Sequence, residues 1–303
     1  MLGHPGNCKS GTGFGPAVAC SLGRVSQLID LMHLGHDRVI GAYELDGAIV
    51  DPGPASCLET LLHGLEHEPR VLLLTHIHLD HAGATGVLVR RFPRLRVYVH
   101  EIGAPHLVDP DKLLASARRL YGDDMERLWG EVAPVPAGNI VALNGGEAVE
   151  GFRVVYTPGH AGHHVAYLHE HGDAYVGDVA GVRIPPGSFT LMPTPPPDIE
   201  LEAWERSLDA IAERRPRALC LTHFGRVVEV GEQLERARAR LREAAQRART
   251  GDRDGFLRAL DAELDERLDG AAAERFRQAA PPEQLWLGLE RYWRKRERGA
   301  PIG

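Results

Sequence analysis

The chain of 303 residues has little lysine, little cysteine and no long apolar run. Its four cysteines, Cys8, Cys20, Cys57 and Cys220, include no Cys-x-x-Cys pair, which argues against a thiolate metal site and favours a reducing, cytoplasmic compartment. No stretch approaches the roughly 20 apolar residues of a membrane span. A net charge of −7 offers no bulk attraction to nucleic acid. We therefore expect a small-molecule substrate, and neither a nucleic-acid nor a membrane partner.

Short β-type runs alternate with helical runs along the middle of the chain. A first set of strands is predicted at 39–45, 48–50, 71–74 and 97–99, with helices near 58–67 and 84–91. A second set is predicted at 140–143, 152–156, 165–168, 174–176 and 218–221. The alternation predicts an α/β fold in which two sheets are faced by helices.

Three imidazoles and a carboxylate follow one of these apolar runs within six residues. The sequence Thr-His-Ile-His-Leu-Asp-His-Ala-Gly places His76 and His78 on one face of an extended tail, with Asp80 and His81 on the turn that follows. A solvated, His-rich loop is the plain alternative, since the chain has 16 histidines. Neutral imidazole and carboxylate groups suit zinc or iron.

Further ligand-type residues follow other predicted strands in the same way. His160 follows the run at 152–156, Asp178 follows 174–176, and His223 follows 218–221. Strand ends are where sheets commonly build sites. The sequence therefore predicts one site for metal ions, assembled from four separate segments.

This set of motifs resembles the metallo-β-lactamase fold superfamily over roughly 38–226, and within it the hydrolase branch that includes glyoxalase II. The resemblance implies a four-layer αβ/βα sandwich, here with a C-terminal helical extension. It implies a first metal held by His76, His78 and His160. It implies a second metal held by Asp80, His81 and His223, with Asp178 bridging the two.

The resemblance also assigns roles around the metals. Asp51 matches an acid that orients a ligand imidazole. His164 matches the second histidine of the family's Pro-Gly-His-x-x-Gly-His element. Gly162-His163 departs from the usual order of that element, so the resemblance assigns His163 no role.

The chemistry implied is hydrolysis by a metal-bridging hydroxide. Two divalent ions, with zinc favoured and iron or manganese as alternatives, would lower the pKa of a shared water toward neutrality. Asp178 would bridge the ions and Asp80 would carry a proton. An acyl substrate, with a thioester favoured as in glyoxalase II, is expected. Only three lysines occur in the chain, so binding of an anionic group would have to rely on arginine, which weakens the case for a glutathione thioester.

Other functions remain open at this point. Lactone or phosphodiester hydrolysis uses the same ligand set. A persulfide dioxygenase would use the same spacing with a single iron. A non-catalytic, metal-holding scaffold is the plainest alternative, and the completeness of the ligand set argues against it.

The chain divides into three predicted parts. Residues 1–24, rich in Gly and Pro, are predicted to be a flexible leader. Residues 25–230 are predicted to form the metallo-β-lactamase-fold catalytic domain. Residues 231–303 are predicted to form the helical extension, because amphipathic patterns cover 231–249 and 254–269. Its last apolar stretch, with Trp286, Tyr292 and Trp293, is expected to pack on the domain; closure over the site or a homodimer contact is the alternative.

Two insertions are expected to shape the substrate site. Residues 103–130 have helical spacing and predict either a flap over the metals or a packed pair of surface helices. Residues 181–198 follow Asp178 and are expected to border the metals. Within them, Arg183 is a candidate for holding a substrate carboxylate.

Overall fold

The computed structural model describes residues 26–299 and contains two six-stranded β-sheets faced by helices. The first sheet has strands in chain order, with β1–β2–β3 antiparallel and β3 to β6 parallel. Its strands are β1 (Gln27–Asp30), β2 (Gly41–Leu45), β3 (Ala48–Val50), β4 (Val71–Leu73), β5 (Arg96–His100) and β6 (Ile140–Leu143). The expected leader at 1–24 lies outside the described residues.

The second sheet is antiparallel except for one parallel pair, β10 with β11. In space its order is β12-β11-β10-β9-β8-β7. Its strands are β7 (Ala148–Val149), β8 (Phe152–Tyr156), β9 (Val165–His169), β10 (Asp173–Gly177), β11 (Ala218–Leu221) and β12 (Gly225–Val227).

One strand lies in a different sheet from the one predicted. The sequence pattern assigned 140–143 to the second set, but β6 pairs with β5 in parallel and completes the first sheet. A parallel pair needs a long crossover between its strands, and the helical insertion at 103–130 supplies it. Periodicity locates a strand but does not encode its distant partner. The short edge strands β1, β7 and β12 were not predicted.

Helices cover the outer faces of both sheets. The seven helices up to residue 213 are α1 (Leu58–Gly64), α2 (Leu79–Ala82), α3 (Thr85–Arg91), α4 (Ala104–Val108), α5 (Asp111–Tyr121), α6 (Met125–Trp129) and α7 (Leu201–Glu213). The four that follow are α8 (Val230–Thr250), α9 (Arg253–Arg267), α10 (Gly270–Ala279) and α11 (Pro282–Glu297). Among residues 26–299, no helix is long and apolar enough to cross a membrane.

Three apolar clusters give the molecule its four layers. One lies between the sheets and includes Tyr43, Phe152 and Tyr175, whose rings meet edge to face at centroid distances of 5.3 and 5.6 Å. A second lies between the first sheet and its helices, and a third between the second sheet and α7 and α8. The expected αβ/βα sandwich with helices at its C-terminal end is therefore confirmed.

The last helix packs against α8 and α9. Trp293 donates its indole N–H to the Ala245 carbonyl at 2.8 Å, and Arg249 lies over its ring. The Trp286 ring lies 5.6 Å from that of Phe256. Neither tryptophan lines the cavity described below. These contacts correspond to the packing role expected for the two side chains.

We predict that Trp293→Ala destabilises the fold by about 3 kcal/mol, because it removes a large packed ring and the hydrogen bond from the indole to the Ala245 carbonyl. Thermal or denaturant unfolding measures this. Arg294→Ala, a matched control at the exposed neighbouring position, should change stability by no more than about 0.5 kcal/mol. A changed substrate range with unchanged stability would instead indicate a lid.

Helix α11 also contacts Thr194, which lies in the insertion 181–198 that is expected to border the metals. Gly288 lies so close to this segment that a Cβ atom there would come within 1.9 Å of the Thr194 carbonyl oxygen. The Thr194 hydroxyl donates to the Leu285 carbonyl at 3.1 Å. The helix and the segment therefore approach backbone to backbone.

Gly288→Ala should destabilise the protein by about 1–3 kcal/mol, because the methyl group forces α11 away from this segment. Gly231→Ala is the control: it lies in α8, and a Cβ atom there meets nothing within 4 Å. It should be neutral or stabilise by up to about 1 kcal/mol. Equal unfolding free energies for the two variants would contradict the close approach.

Candidate metal centre

The seven predicted ligand side chains converge from four segments of the chain. His76 and His78 lie in the tail after β4, and Asp80 and His81 lie on α2. The other three follow strands of the second sheet: His160 after β8, Asp178 after β10 and His223 after β11. The sheets thus bring together residues up to 147 positions apart, from His76 to His223.

The first group is a trio of imidazoles whose nitrogens nearly touch. His76 Nε2 lies 3.0 Å from His78 Nδ1, and His160 Nε2 lies 3.2 and 2.9 Å from the same two atoms. Burial lowers the pKa of His76 well below its ordinary value and that of His78 to about 3, and it also lowers the pKa of His160. The three rings are therefore neutral, with lone pairs available to a cation.

The second group combines Asp80, His81 and His223. The Asp80 Oδ2 atom lies 3.4 Å from His223 Nε2 and 3.7 Å from His81 Nε2. Burial alone would lower the pKa of both imidazoles. Their pKa values are nevertheless raised, because the Asp178 and Asp80 carboxylates lie beside both rings. The Asp51 carboxylate raises the pKa of His81 further. A cation bound here would compete with protons for these nitrogens.

The Asp178 carboxylate faces both groups. Its Oδ2 atom lies 3.3 Å from His160 Nε2, and its Oδ1 atom lies 3.3 Å from His81 Nε2 and 3.5 Å from His223 Nε2. Although burial opposes ionisation, the surrounding imidazoles hold the pKa of Asp178 well below its usual value. One carboxylate thus presents one oxygen to each trio.

The buried polar atoms of the centre fit divalent cations. Within residues 26–299, His81 Nε2, His223 Nε2 and Asp178 Oδ1 are buried without a hydrogen-bond partner, since their mutual contacts of 3.3 and 3.5 Å lack hydrogen-bond geometry. Leaving such atoms unpartnered is costly. Imidazole and carboxylate donors match zinc, iron or manganese, so the residues present suit two such ions.

Each ligand imidazole except His78 is oriented through its outer nitrogen. Outer partners of this kind fix the tautomer and direct the inner nitrogen to a metal. The pairs are His76 Nδ1 with Thr75 Oγ1 at 3.1 Å, His81 Nδ1 with Asp51 Oδ2 at 2.8 Å, His160 Nδ1 with the Pro193 carbonyl at 2.8 Å, and His223 Nδ1 with the Val39 carbonyl at 2.6 Å.

Asp51 connects the two halves of the centre. Besides His81, it accepts the Thr75 backbone N–H at 2.8 Å, the Thr75 hydroxyl at 2.7 Å and the Thr222 hydroxyl at 3.0 Å. Because the Thr75 hydroxyl donates to Asp51, it is left to accept from His76 Nδ1. The geometry is that expected of an acid that orients ligand imidazoles.

Asp51→Asn should weaken metal binding about 10- to 100-fold, because an amide cannot accept from the same set of donors. Titration against a metallochromic chelator measures this. Asp173→Asn is the matched control. Asp173 lies on β10 and pairs with Arg226, so its substitution should leave metal affinity unchanged. Unaltered affinity in Asp51→Asn would contradict the orienting role.

The remaining predicted residues fall outside both trios. His164 lies behind His76, with ring centroids 5.1 Å apart, and its Nδ1 pairs with Thr157 Oγ1 at 2.8 Å. His163, to which the motif assigned no role, lines the cavity. The expectation for Arg183 is not supported: its guanidinium lies against Glu229 and Gln233 at 3.5 and 3.4 Å, away from the cavity.

A cavity of about 470 Å³ opens beside Asp80 and Asp178. The insertion at 103–130, expected as a flap or a helix pair, forms one wall through α5 and α6. Sequence reasoning missed several polar residues that line this cavity. They are His33, Gln278 and Gln284. No local motif marks them, because they reach the site through the packing of distant segments.

A sequence model of the Metallo-beta-lactamase superfamily matches residues 40–223. The match covers more than half of the chain and includes all seven candidate ligands. The chain belongs to the metallo-beta-lactamase superfamily, and its clusters of histidine and aspartate have the composition of divalent-metal sites.

Named relatives agree with this assignment. The metallo-beta-lactamase fold-containing protein ST1585 of Sulfurisphaera tokodaii is 29% identical over 163 residues, which are 52% of this chain and 60% of ST1585. A hydroxyacylglutathione hydrolase of Synechococcus sp. is 31% identical over 132 residues, 43% of this chain and 42% of that enzyme. The chain thus spans only about half the length of these curated relatives.

Two solved structures have the same fold. The structure of ST1585 covers 88% of this chain at a TM-score of 0.68 and 23% identity, with 98% of its own length matched. That of the metallo-beta-lactamase family protein TTHA1429 from Thermus thermophilus covers 90% at a TM-score of 0.61 and 25% identity, with 94% of its own length matched. Both likenesses extend beyond residues 40–223, into the helical extension.

Proposed function

We propose that the protein is a dinuclear metal-dependent hydrolase that cleaves an acyl bond of a small molecule, with a thioester as the leading substrate. The Asp178 carboxylate, with one oxygen directed at each trio, is the observation that carries this proposal. A mononuclear site would need only one of the trios. The relatives named hydroxyacylglutathione hydrolase support a thioester.

The metal ions supply Lewis acidity toward a carbonyl group and toward water when they are bound. The histidines would keep the ions in position, because hydrogen bonds to the outer nitrogens of His76, His81, His160 and His223 fix these rings. Hydrolysis breaks the acyl C–S bond and forms a C–O bond with water, giving a carboxylic acid and a thiol. The protein must therefore deliver one proton to the departing sulfur.

We assign that proton transfer to Asp80. Its carboxylate is 22% exposed and lines the cavity, whereas that of Asp178 is 4% exposed. A carboxylate oxygen of Asp80 can therefore reach a substrate in the cavity while Asp178 holds the two trios together. This division gives the two acids the roles of proton carrier and bridge.

The proposal predicts close to two metal ions per chain by elemental analysis. His78→Ala and Asp178→Ala should lower the metal content and reduce thioester turnover by more than about 100-fold. Loss of a metal ligand should reduce activity more than loss of a residue that only orients a ligand. His63→Ala, which alters an exposed histidine on α1 that belongs to neither trio, is the control.

Circular dichroism should show that the folded structure persists in these variants. Full turnover in both ligand variants would contradict the mechanism. One iron per chain, with His223 dispensable for binding it, would favour the persulfide dioxygenase alternative.

A further inference from the structure

The cavity beside the metal centre is built by three separate parts of the chain. Helices α5 and α6 of the insertion form one wall, and the proline-rich segment at 193–198 forms another. The turn between α10 and α11, at 278–285, closes a third side. All three parts lie outside the motifs that carry the metal ligands, and they determine which substrates the cavity admits; the segment at 193–198 also orients His160 through the Pro193 carbonyl.

The walls of this cavity are mainly apolar. They include Leu113, Leu120, Trp129, Pro195, Ala280 and Leu285. Ile77 and Leu79, which alternate with the ligands His78 and Asp80, extend this surface to the metal centre. Each methylene group transferred from water to such a surface strengthens binding about fourfold. The cavity volume of about 470 Å³ lies within the range for a small-molecule ligand.

Fixed charges are confined to exposed positions around this cavity. Apart from the two ligand carboxylates, its lining among residues 26–299 contains Lys112, Asp124 and Asp198, all three exposed, and no arginine. Away from the metal centre, two carboxylates against one ammonium group give the cavity walls no attraction to an anion. Charged groups moved into an apolar site without a partner are strongly disfavoured.

Several neutral polar groups of the cavity are paired within its walls. The Tyr121 hydroxyl donates to Gln284 Oε1 at 3.3 Å, and the Gln278 amide donates to the His33 carbonyl at 2.9 Å. His33 stacks on Trp129 at a centroid distance of 5.5 Å. These contacts engage Tyr121, Gln278 and Gln284 within the walls. In the part of the chain that the structure describes, the Trp129 indole N–H and His163 Nδ1 are buried without a hydrogen-bond partner, and the indole is an uncharged donor.

We propose that the substrate is an uncharged acyl compound whose apolar acyl chain lies in this cavity, and that a leaving group carrying carboxylates, such as glutathione, is disfavoured. The inference rests on the proposed function, because it places the scissile carbonyl at the metal centre. It narrows the substrate class from acyl bonds in general to those of neutral, apolar esters and thioesters.

Matched thioesters test this with the metal-loaded protein. S-hexanoyl-N-acetylcysteamine should be hydrolysed with a kcat/KM at least about tenfold above that of S-hexanoylglutathione, which carries the same acyl group and two carboxylates. It should exceed S-acetyl-N-acetylcysteamine by at least about thirtyfold, since four more methylene groups are buried in part. Equal or reversed preferences would overturn the inference while leaving the proposed hydrolase intact.

Binding of unreactive thioethers gives a second readout that does not depend on turnover. By calorimetry, S-hexyl-N-acetylcysteamine should bind at least about tenfold more tightly than S-hexylglutathione. Equal or tighter binding of S-hexylglutathione would overturn the inference. If no ester, thioester or lactone is hydrolysed by protein with two metals, the proposed function fails, and this binding preference still decides between a neutral and an anionic ligand.

A charge placed in the wall should reverse the preference. Leu120→Arg puts a guanidinium on the cavity side of α5, and we expect it to shift the ratio of the two Kd values toward S-hexylglutathione by about tenfold or more. Ala115→Arg adds the same charge to an exposed position of the same helix outside the cavity lining and is the matched control. An equal shift in both variants would show a general charge effect and contradict the proposed location.

Discussion

The hydrogen bonds of the buried Asp51 carboxylate are the interaction on which the centre depends. Thr75 follows a strand of the first sheet and Thr222 follows a strand of the second, and both donate to Asp51 together with His81. A single buried acid therefore joins the two sheets at the edge where the ligands emerge. A buried carboxylate without such donors would be costly, so the sheets can meet here only in the arrangement that supplies all of them.

The fold and the ligand set could largely be predicted from the sequence, because both are encoded locally. The run at 71–74 is uniformly apolar, as expected of a parallel strand buried on both faces, and the ligands follow it directly. His160, Asp178 and His223 also come shortly after predicted strands, although the run before His160 contains the exposed Arg153 and pairs antiparallel with both of its neighbours. The predicted strand at 218–221 matches β11 without adjustment.

What could not be predicted depends on contacts between distant segments. The strand at 140–143 was recognised but placed in the wrong sheet, since its partner is chosen by the crossover that precedes it. Arg183 was a reasonable candidate by its position after Asp178, yet its guanidinium lies against Glu229 and does not line the cavity. His33 and Gln278 reach the cavity only because α10 packs near the turn after β1. The two residues are 245 positions apart in the sequence.

The contact between α11 and the proline-rich segment has a consequence for the order in which the molecule is completed. The Pro193 carbonyl that orients His160 lies next to Thr194, which the last helix holds backbone to backbone. During synthesis both sheets and every ligand candidate precede residue 278, whereas one wall of the cavity follows it. On the ribosome, all the residues that ligate the metals are therefore made before the last wall of the cavity. The chain can assemble its metal centre before it can discriminate among substrates.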